Sequence, residues 1–136
     1  MRFMIIVKAG AASEAGALPE ERFIAAMADY HEQLARAGVL LDAHALQPSS
    51  RGWRIRWSGA RQLVVDGPFA EAQELIAGYT LIQVRSREEA LEWSRRFPVP
   101  QGLGVDAEIE VRPLCELEHL GPSAAAERFC RLMPDA

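Results

Sequence analysis

Val64-Val65-Asp66-Gly67-Pro68-Phe69-Ala70-Glu71-Ala72-Gln73-Glu74-Leu75-Ile76-Ala77-Gly78-Tyr79 leads out of an apolar strand through an acidic residue, a Gly-Pro break and two further carboxylates. Gly67-Pro68 stops the strand, because proline fixes φ and lacks a backbone donor. A turn of this kind aims polar groups from the end of a rigid element, where binding and catalytic residues concentrate. Asp66 is the chemical candidate here, as a general base or as the group that orients a histidine. Its competing reading is an Asx-turn, in which the side chain bonds downstream amides of its own loop. Gly67 reads as a residue free to adopt positive φ, and Phe69 as a packed anchor or a ligand-stacking wall. Glu71 and Glu74, three apart, are neighbours on one face of a helical turn, which is either solvated or lines a pocket.

Upstream of this turn, Trp53, Ile55 and Trp57 alternate with Arg54, Arg56 and Ser58, the pattern of a half-buried strand. Ser58-Gly59-Ala60-Arg61 turns that strand back into Gln62 to Asp66. Val39 to Leu46 is an earlier strand, broken by Gln47-Pro48-Ser49-Ser50. Before it, Phe23, Met27, Tyr30 and Leu34 form one helical stripe, with Pro19 suited to the first helical position and Gly38 to a left-handed cap. Ala9 to Gly16 reads as a loop, and Arg2 to Ala9 as a first strand with both faces mainly apolar. Downstream, Tyr79 to Arg85 is a strand, and Ser86-Arg87-Glu89 spacing is that of a capping box. The helix it opens buries Ala90, Trp93, Ser94 and Phe97, and a loop from Pro98 to Gly104 follows. Ala107, Ile109 and Val111 alternate with Glu108, Glu110 and Arg112 in a final strand near a sheet edge.

The resulting order is strand, helix, strand with a hairpin extension, strand, helix, strand. That order predicts an α+β fold of ferredoxin-like split βαβ type. Two helices cover one face of such a sheet, yet Met4, Ile6, Val64, Leu81 and the Trp53/Trp57 pair supply more apolar surface than one face needs. A second copy over the open face, in a symmetric homodimer, is the expected remedy. The tail after the final strand is expected to carry a short helix around Ala124 to Met133.

A chain of 136 residues, 49% hydrophobic and 25% charged, has the size and composition of one globular domain. Its net charge of −4 argues against nucleic-acid binding, which needs a basic surface. No apolar run reaches the ~20 residues that span a bilayer, and Met1 to Lys8 is too short for a signal-peptide core. Cys115 and Cys130 are read as reduced thiols, which together with the rest predicts a cytoplasmic protein without a membrane partner. There is no HxxxH, HxH or CxxC pair, no phosphate-binding glycine motif and no GxSxG elbow. No metal and no cofactor is therefore expected.

His44, in the second strand, and His31, beside the first helical stripe, are the histidines that could pair with Asp66. The commoner role of a histidine at the position of His31 is a boundary residue with a satisfied hydrogen bond. Trp53, Phe69, Glu71 and Tyr79 are the expected substrate-binding side chains, and Lys8 is a candidate clamp.

Val65-Asp66-Gly67-Pro68-Phe69-Ala70-Glu71-Ala72-Gln73-Glu74 resembles the defining motif of the DGPF-domain proteins, part of the YCII-related family. Phe3 to Ala9, Ala37 to Leu40, Leu46 to Ser50, Leu75 to Tyr79, Glu89 to Trp93 and Glu108 to Leu114 are similar to the same family, so the resemblance covers roughly residues 1–118. It implies a dimeric α/β barrel of ferredoxin-like topology. It also implies two functional readings. The first is a cofactor-independent enzyme using a His–Asp pair on a small metabolite. The second is a noncatalytic module that binds a small molecule or regulates, because some DGPF proteins are encoded beside or fused to extracytoplasmic-function sigma factors.

Overall fold

The computed structural model describes residues 1–100 and 106–133. Strand β1 (Arg2–Lys8) is followed by a single-turn helix α1 (Ala11–Glu14) and by helix α2 (Glu21–Arg36), which leads into β2 (Leu40–Ala45). A hairpin of β3 (Trp53–Ser58) and β4 (Arg61–Asp66) comes next, then β5 (Ile76–Gln83), helix α3 (Arg87–Arg95), β6 (Ile109–Pro113) and helix α4 (Ala124–Cys130). Four strands lie in the order β2-β5-β1-β6, every neighbouring pair antiparallel, and β3-β4 form a separate two-stranded sheet. The α+β architecture with an extending hairpin stands as expected.

Alternation along β1 sorts its side chains between two environments. Phe3 and Ile5 are buried on the helix side, and with Ile82 and Val84 of the β5 segment they meet Tyr30 and Leu34 of α2 and Ala90, Trp93 and Phe97 of the α3 segment. Tyr30 sets its ring edge-on to Phe97 and Trp93, at centroid distances of 5.2 and 6.4 Å, and its hydroxyl donates to the Trp93 carbonyl at 2.7 Å. Gly38, at φ +73°, ends α2 in the left-handed conformation. Ser86 caps α3 by accepting from the Glu89 amide at 3.1 Å, while the Glu89 carboxylate reaches back to the Arg85 amide at 2.9 Å. Capping of this kind stabilises a helix by about 1 kcal/mol.

Several boundaries differ from the sequence reading. Pro19 stands ahead of α2, because Glu20 remains extended at ψ 146° and the helix opens at Glu21. The expected loop Ala9 to Gly16 closes one helical turn, with Ser13 accepting from the Gly10 amide at 2.9 Å. β5 begins at Ile76, because Ile76 pairs with Lys8 of β1; at Gly78 it runs so close to β2 that a Cβ would sit 2.8 Å from the His44 carbonyl oxygen. Trp53, Ile55 and Trp57 are exposed rather than half-buried, because among the described residues no layer packs on their side of the two-stranded ribbon. The loop expected at 98–104 falls partly on residues 101–105, outside the described residues. No helix among the described residues is long and apolar enough to cross a membrane.

Candidate functional site

The sheet face opposite the helices carries a connected polar arrangement at β2. Asp42 and His44 are two residues apart on β2 and so share that face. Across the ladder, His44 pairs with Tyr79 and Asp42 with Leu81. One carboxylate oxygen of Asp42 lies 3.0 Å from His44 Nε2 and also accepts from the Ala43 amide at 3.0 Å. The other oxygen accepts from the Tyr79 hydroxyl at 3.2 Å. The imidazole and phenol rings lie 5.9 Å apart, tilted by 57°.

This geometry assigns the tautomer. An ionised carboxylate only accepts, so His44 Nε2 carries a proton and Nδ1 is left as the basic nitrogen of the neutral ring. The Tyr79 hydroxyl is pushed above the ordinary tyrosine range by desolvation first, then by the negative charge of Asp42 and the hydrogen bond to it. It therefore stays a donor at neutral pH. Beside these polar groups, Tyr79 pairs with Ile6 and Leu81 with Met4, giving a half-buried apolar floor across β5 and β1. At the far side Lys8 meets Glu110 at 3.5 Å, an ion pair that takes up the lysine considered as a clamp.

His31 occupies the other side of the same sheet. Its Nδ1 donates to the Met27 carbonyl at 2.7 Å, which leaves Nε2 to accept from the Thr80 hydroxyl at 2.9 Å. Thr80 and Tyr79 are consecutive on β5 and point to opposite faces, so His31 and His44 are separated by the sheet. Both nitrogens of His31 are engaged, as its structural reading anticipates.

Asp66 ends β4 opposite Trp53, exposed and on the separate hairpin. It is in ion-pair contact with neither histidine, whose partners are Asp42 for His44 and Met27 and Thr80 for His31. Nor does Asp66 form the Asx-turn, because other groups take the loop amides. The Gly67 amide donates to the Gly52 carbonyl at 3.0 Å, and the Phe69 amide to Ser49 Oγ at 3.0 Å. Ser49 in turn gives its hydroxyl and amide to the two carboxylate oxygens of Glu14, at 2.5 and 3.0 Å. Phe69 is clasped from the hairpin side by the Arg54 guanidinium, 3.9 Å above its ring.

Gly67 is required for a reason different from the expected one. Its φ is not in the left-handed region, but a Cβ on it would lie 1.8 Å from the Ser49 carbonyl oxygen. The left-handed residue of this loop is Glu71, at φ 64°, exposed just before the short turn Ala72–Glu74. Of the expected site residues, then, His44 and Tyr79 come together, while Asp66, Phe69, Glu71 and Trp53 belong to the hairpin and its closing loop. Asp42 was the residue sequence reasoning passed over. Its signal was the Asp-x-His spacing within a strand, which places both side chains on one face.

Among the described residues no three His, Cys, Asp or Glu side chains are grouped to hold a metal ion. Cys115 and Cys130 are free and exposed.

Compared with known protein families, residues 1–115 match the YCII-related domain. An uncharacterised protein of Rhizobium meliloti (strain 1021) is 32% identical over 95 residues, which span 70% of this chain and 75% of that relative. Among solved structures, the chain is similar to the 5-chloro-2-hydroxyhydroquinone dehydrochlorinase TftG of Burkholderia phenoliruptrix AC1100, in complex with 2,5-dihydroxybenzoquinone. That likeness has a TM-score of 0.48 at 15% identity, over 88% of this chain and 98% of the other.

Proposed function

For this chain, which belongs to the YCII-related domain family, we propose the role of a small cofactor-independent enzyme that moves a proton on a small metabolite, with His44 as the catalytic residue. The observation that carries this reading is the single Asp42 carboxylate bridging His44 Nε2 and the Tyr79 hydroxyl, at 3.0 and 3.2 Å. His44 Nδ1 accepts the substrate proton. The imidazolium so formed keeps its Nε2–H on Asp42, whose negative charge stabilises it without taking the proton. Tyr79 holds the second carboxylate oxygen, so Asp42 and Tyr79 are positioning residues. General-base catalysis of this kind contributes about 10²–10⁴-fold.

The chain works as a homodimer in this proposal. His44 and Asp42 side chains are 63% and 45% exposed, and Met4, Ile6 and Leu81 lie beside them on a face that no helix among the described residues covers. A second copy over that face walls the site with apolar surface and strengthens the Asp42–His44 interaction by excluding water.

The test is proton exchange. Enolisable oxo acids and hydroxyaromatic compounds are incubated with the protein in D2O, and NMR follows loss of carbon-bound protons. Wild type exchanges at least one class, His44→Ala loses the exchange by at least ~100-fold, and Asp66→Asn retains it. Equal exchange by wild type and His44→Ala overturns the proposal. Ligands that raise the melting temperature with no exchange in the whole panel replace it with the noncatalytic binding reading.

A further inference from the structure

The β3–β4 hairpin presents an apolar face for which the described residues supply no cover. Register places Trp53 opposite Asp66, Ile55 opposite Val64 and Trp57 opposite Gln62, so the two tryptophans, Ile55 and Val64 share one side of the ribbon. They are 64%, 72%, 42% and 66% exposed, respectively for Trp53, Trp57, Ile55 and Val64. Neither hairpin strand pairs with the main sheet.

We infer that this face docks across the open sheet face of a second copy of the chain, laying Trp53 and Trp57 beside that copy's Asp42, His44 and Tyr79. Each site is then built from two chains. The inference rests on the proposed function for the use of the site, and on the surfaces alone for the docking.

Dimensions and area support this occupant. Strands of six residues reach about 20 Å, enough to cross a four-stranded sheet about 14 Å wide between its outer strands. The four side chains expose on the order of 500 Å² per chain. Exchanged between two copies, with the sheet surface they cover, that gives on the order of 2,000 Å², within the range of stable dimers. The receiving face offers Met4, Ile6 and Leu81, half-buried and apolar.

Trp alternating with Arg also suggests a single-stranded nucleic acid, but the geometry disfavours it. Bases stack on aromatic rings flanked by cations that track the backbone. Here Arg54, Arg56 and Arg61 lie on the opposite side of the ribbon from Trp53 and Trp57, and Arg54 is already stacked on Phe69.

The experiment is photocrosslinking of the full chain. p-Benzoylphenylalanine replaces Trp57 in ¹⁵N-labelled protein, which is mixed equally with unlabelled protein carrying the same replacement, irradiated and mapped by mass spectrometry. Mixed-isotope adducts joining position 57 to residues 40–45 or 76–83 are the expected result. Adducts confined to one chain, adducts joining hairpin to hairpin, or mixed-isotope adducts elsewhere overturn it. Sedimentation supplies a second reading. Trp53→Ser with Trp57→Ser weakens the dimer by at least ~100-fold, while emission from Trp93, the one tryptophan then left and a buried one, reports an intact core. Unchanged dimerisation in that variant also overturns the inference. Neither measurement needs a substrate, so failure of the D2O exchange leaves the docking claim untouched, and failure of the crosslink leaves the chemistry of His44 untouched.

Discussion

Gly67→Ala places a methyl group 1.8 Å from the Ser49 carbonyl oxygen, 2.6 Å from its carbonyl carbon and 3.2 Å from the Ser50 nitrogen. All three are backbone atoms, so no side-chain rotation relieves the clash. Restoring an ordinary carbon–oxygen contact near 3.3 Å requires the loop and the Ser49 turn to separate by about 1.5 Å. That movement breaks the Gly67–Gly52 and Phe69–Ser49 hydrogen bonds, worth about 1 kcal/mol each, and loosens the charge-assisted bonds of Ser49 to Glu14. The expected cost is about 2–4 kcal/mol, a large share of a typical domain's stability. Urea denaturation followed by circular dichroism measures it, and the melting temperature falls on the order of 10 °C. Gly38→Ala is the control: φ is +73° and no atom lies within 4 Å of the added carbon, so only torsional strain of about 1 kcal/mol is felt. If Gly67→Ala costs less than Gly38→Ala, close backbone approach is not what requires glycine at position 67.

Tyr30→Phe removes the buried hydrogen bond to the Trp93 carbonyl and lowers stability by about 1 kcal/mol in equilibrium unfolding at neutral pH. In wild type, burial pushes the Tyr30 hydroxyl up to about 12, against the opposing pull of Arg96. The unfolded chain ionises this group near ~10, so its contribution is complete below that pH and is lost as pH rises towards 12. Denaturation at stepped alkaline pH should show a decline of about 1.4 kcal/mol per unit that Tyr30→Phe reduces; an identical decline in the variant excludes Tyr30 as its source. The Glu116 carboxyl is held below the usual range, first by its hydrogen bond to Arg2 and then by that residue's charge. Its contribution is present above the unfolded value and disappears as pH falls through the folded one. Hydrogen exchange of the segment after β6 should therefore accelerate in acid for wild type, whereas Glu116→Gln should be fast already at neutral pH. Ser86→Ala should cost about 1 kcal/mol through the lost α3 cap, read as a shift of the urea midpoint at constant m-value.

Local patterns carried most of the fold. The Phe23-Met27-Tyr30-Leu34 stripe and the Ser86 cap are set by residues within a few positions of one another, and both helices form, although α2 opens at Glu21 rather than Pro19 and the Glu89 carboxylate takes the Arg85 amide rather than that of Ser86. The alternation of β1 likewise sorted Phe3 and Ile5 from Met4 and Ile6. The site was less legible because it depends on register. Asp42 and Tyr79 are 37 residues apart, and only the β2–β5 pairing brings them together. His31 and His44 look equivalent in the sequence until the parity of Thr80 and Tyr79 puts them on opposite faces. Gly67 was correctly singled out but for a torsional reason, whereas the actual constraint comes from Ser49, eighteen positions upstream in the chain. Trp53 and Trp57 show the remaining limit: alternation identifies a face that wants cover and says nothing of which molecule provides it.

The bonds that close the base of the hairpin have a consequence for geometry at a distance. Gly52 and Gly67 are tied across the ribbon, and Ser49 grips the Phe69 amide while itself held by Glu14 of α1. The hairpin is thereby mounted like a lever on a fulcrum that belongs to the first helix turn. A tilt of about 10° at that fulcrum sweeps the Trp57 end, about 17 Å along the strand, through about 3 Å, so Glu14 and Ser49 set where the arm's tip lands without ever approaching it.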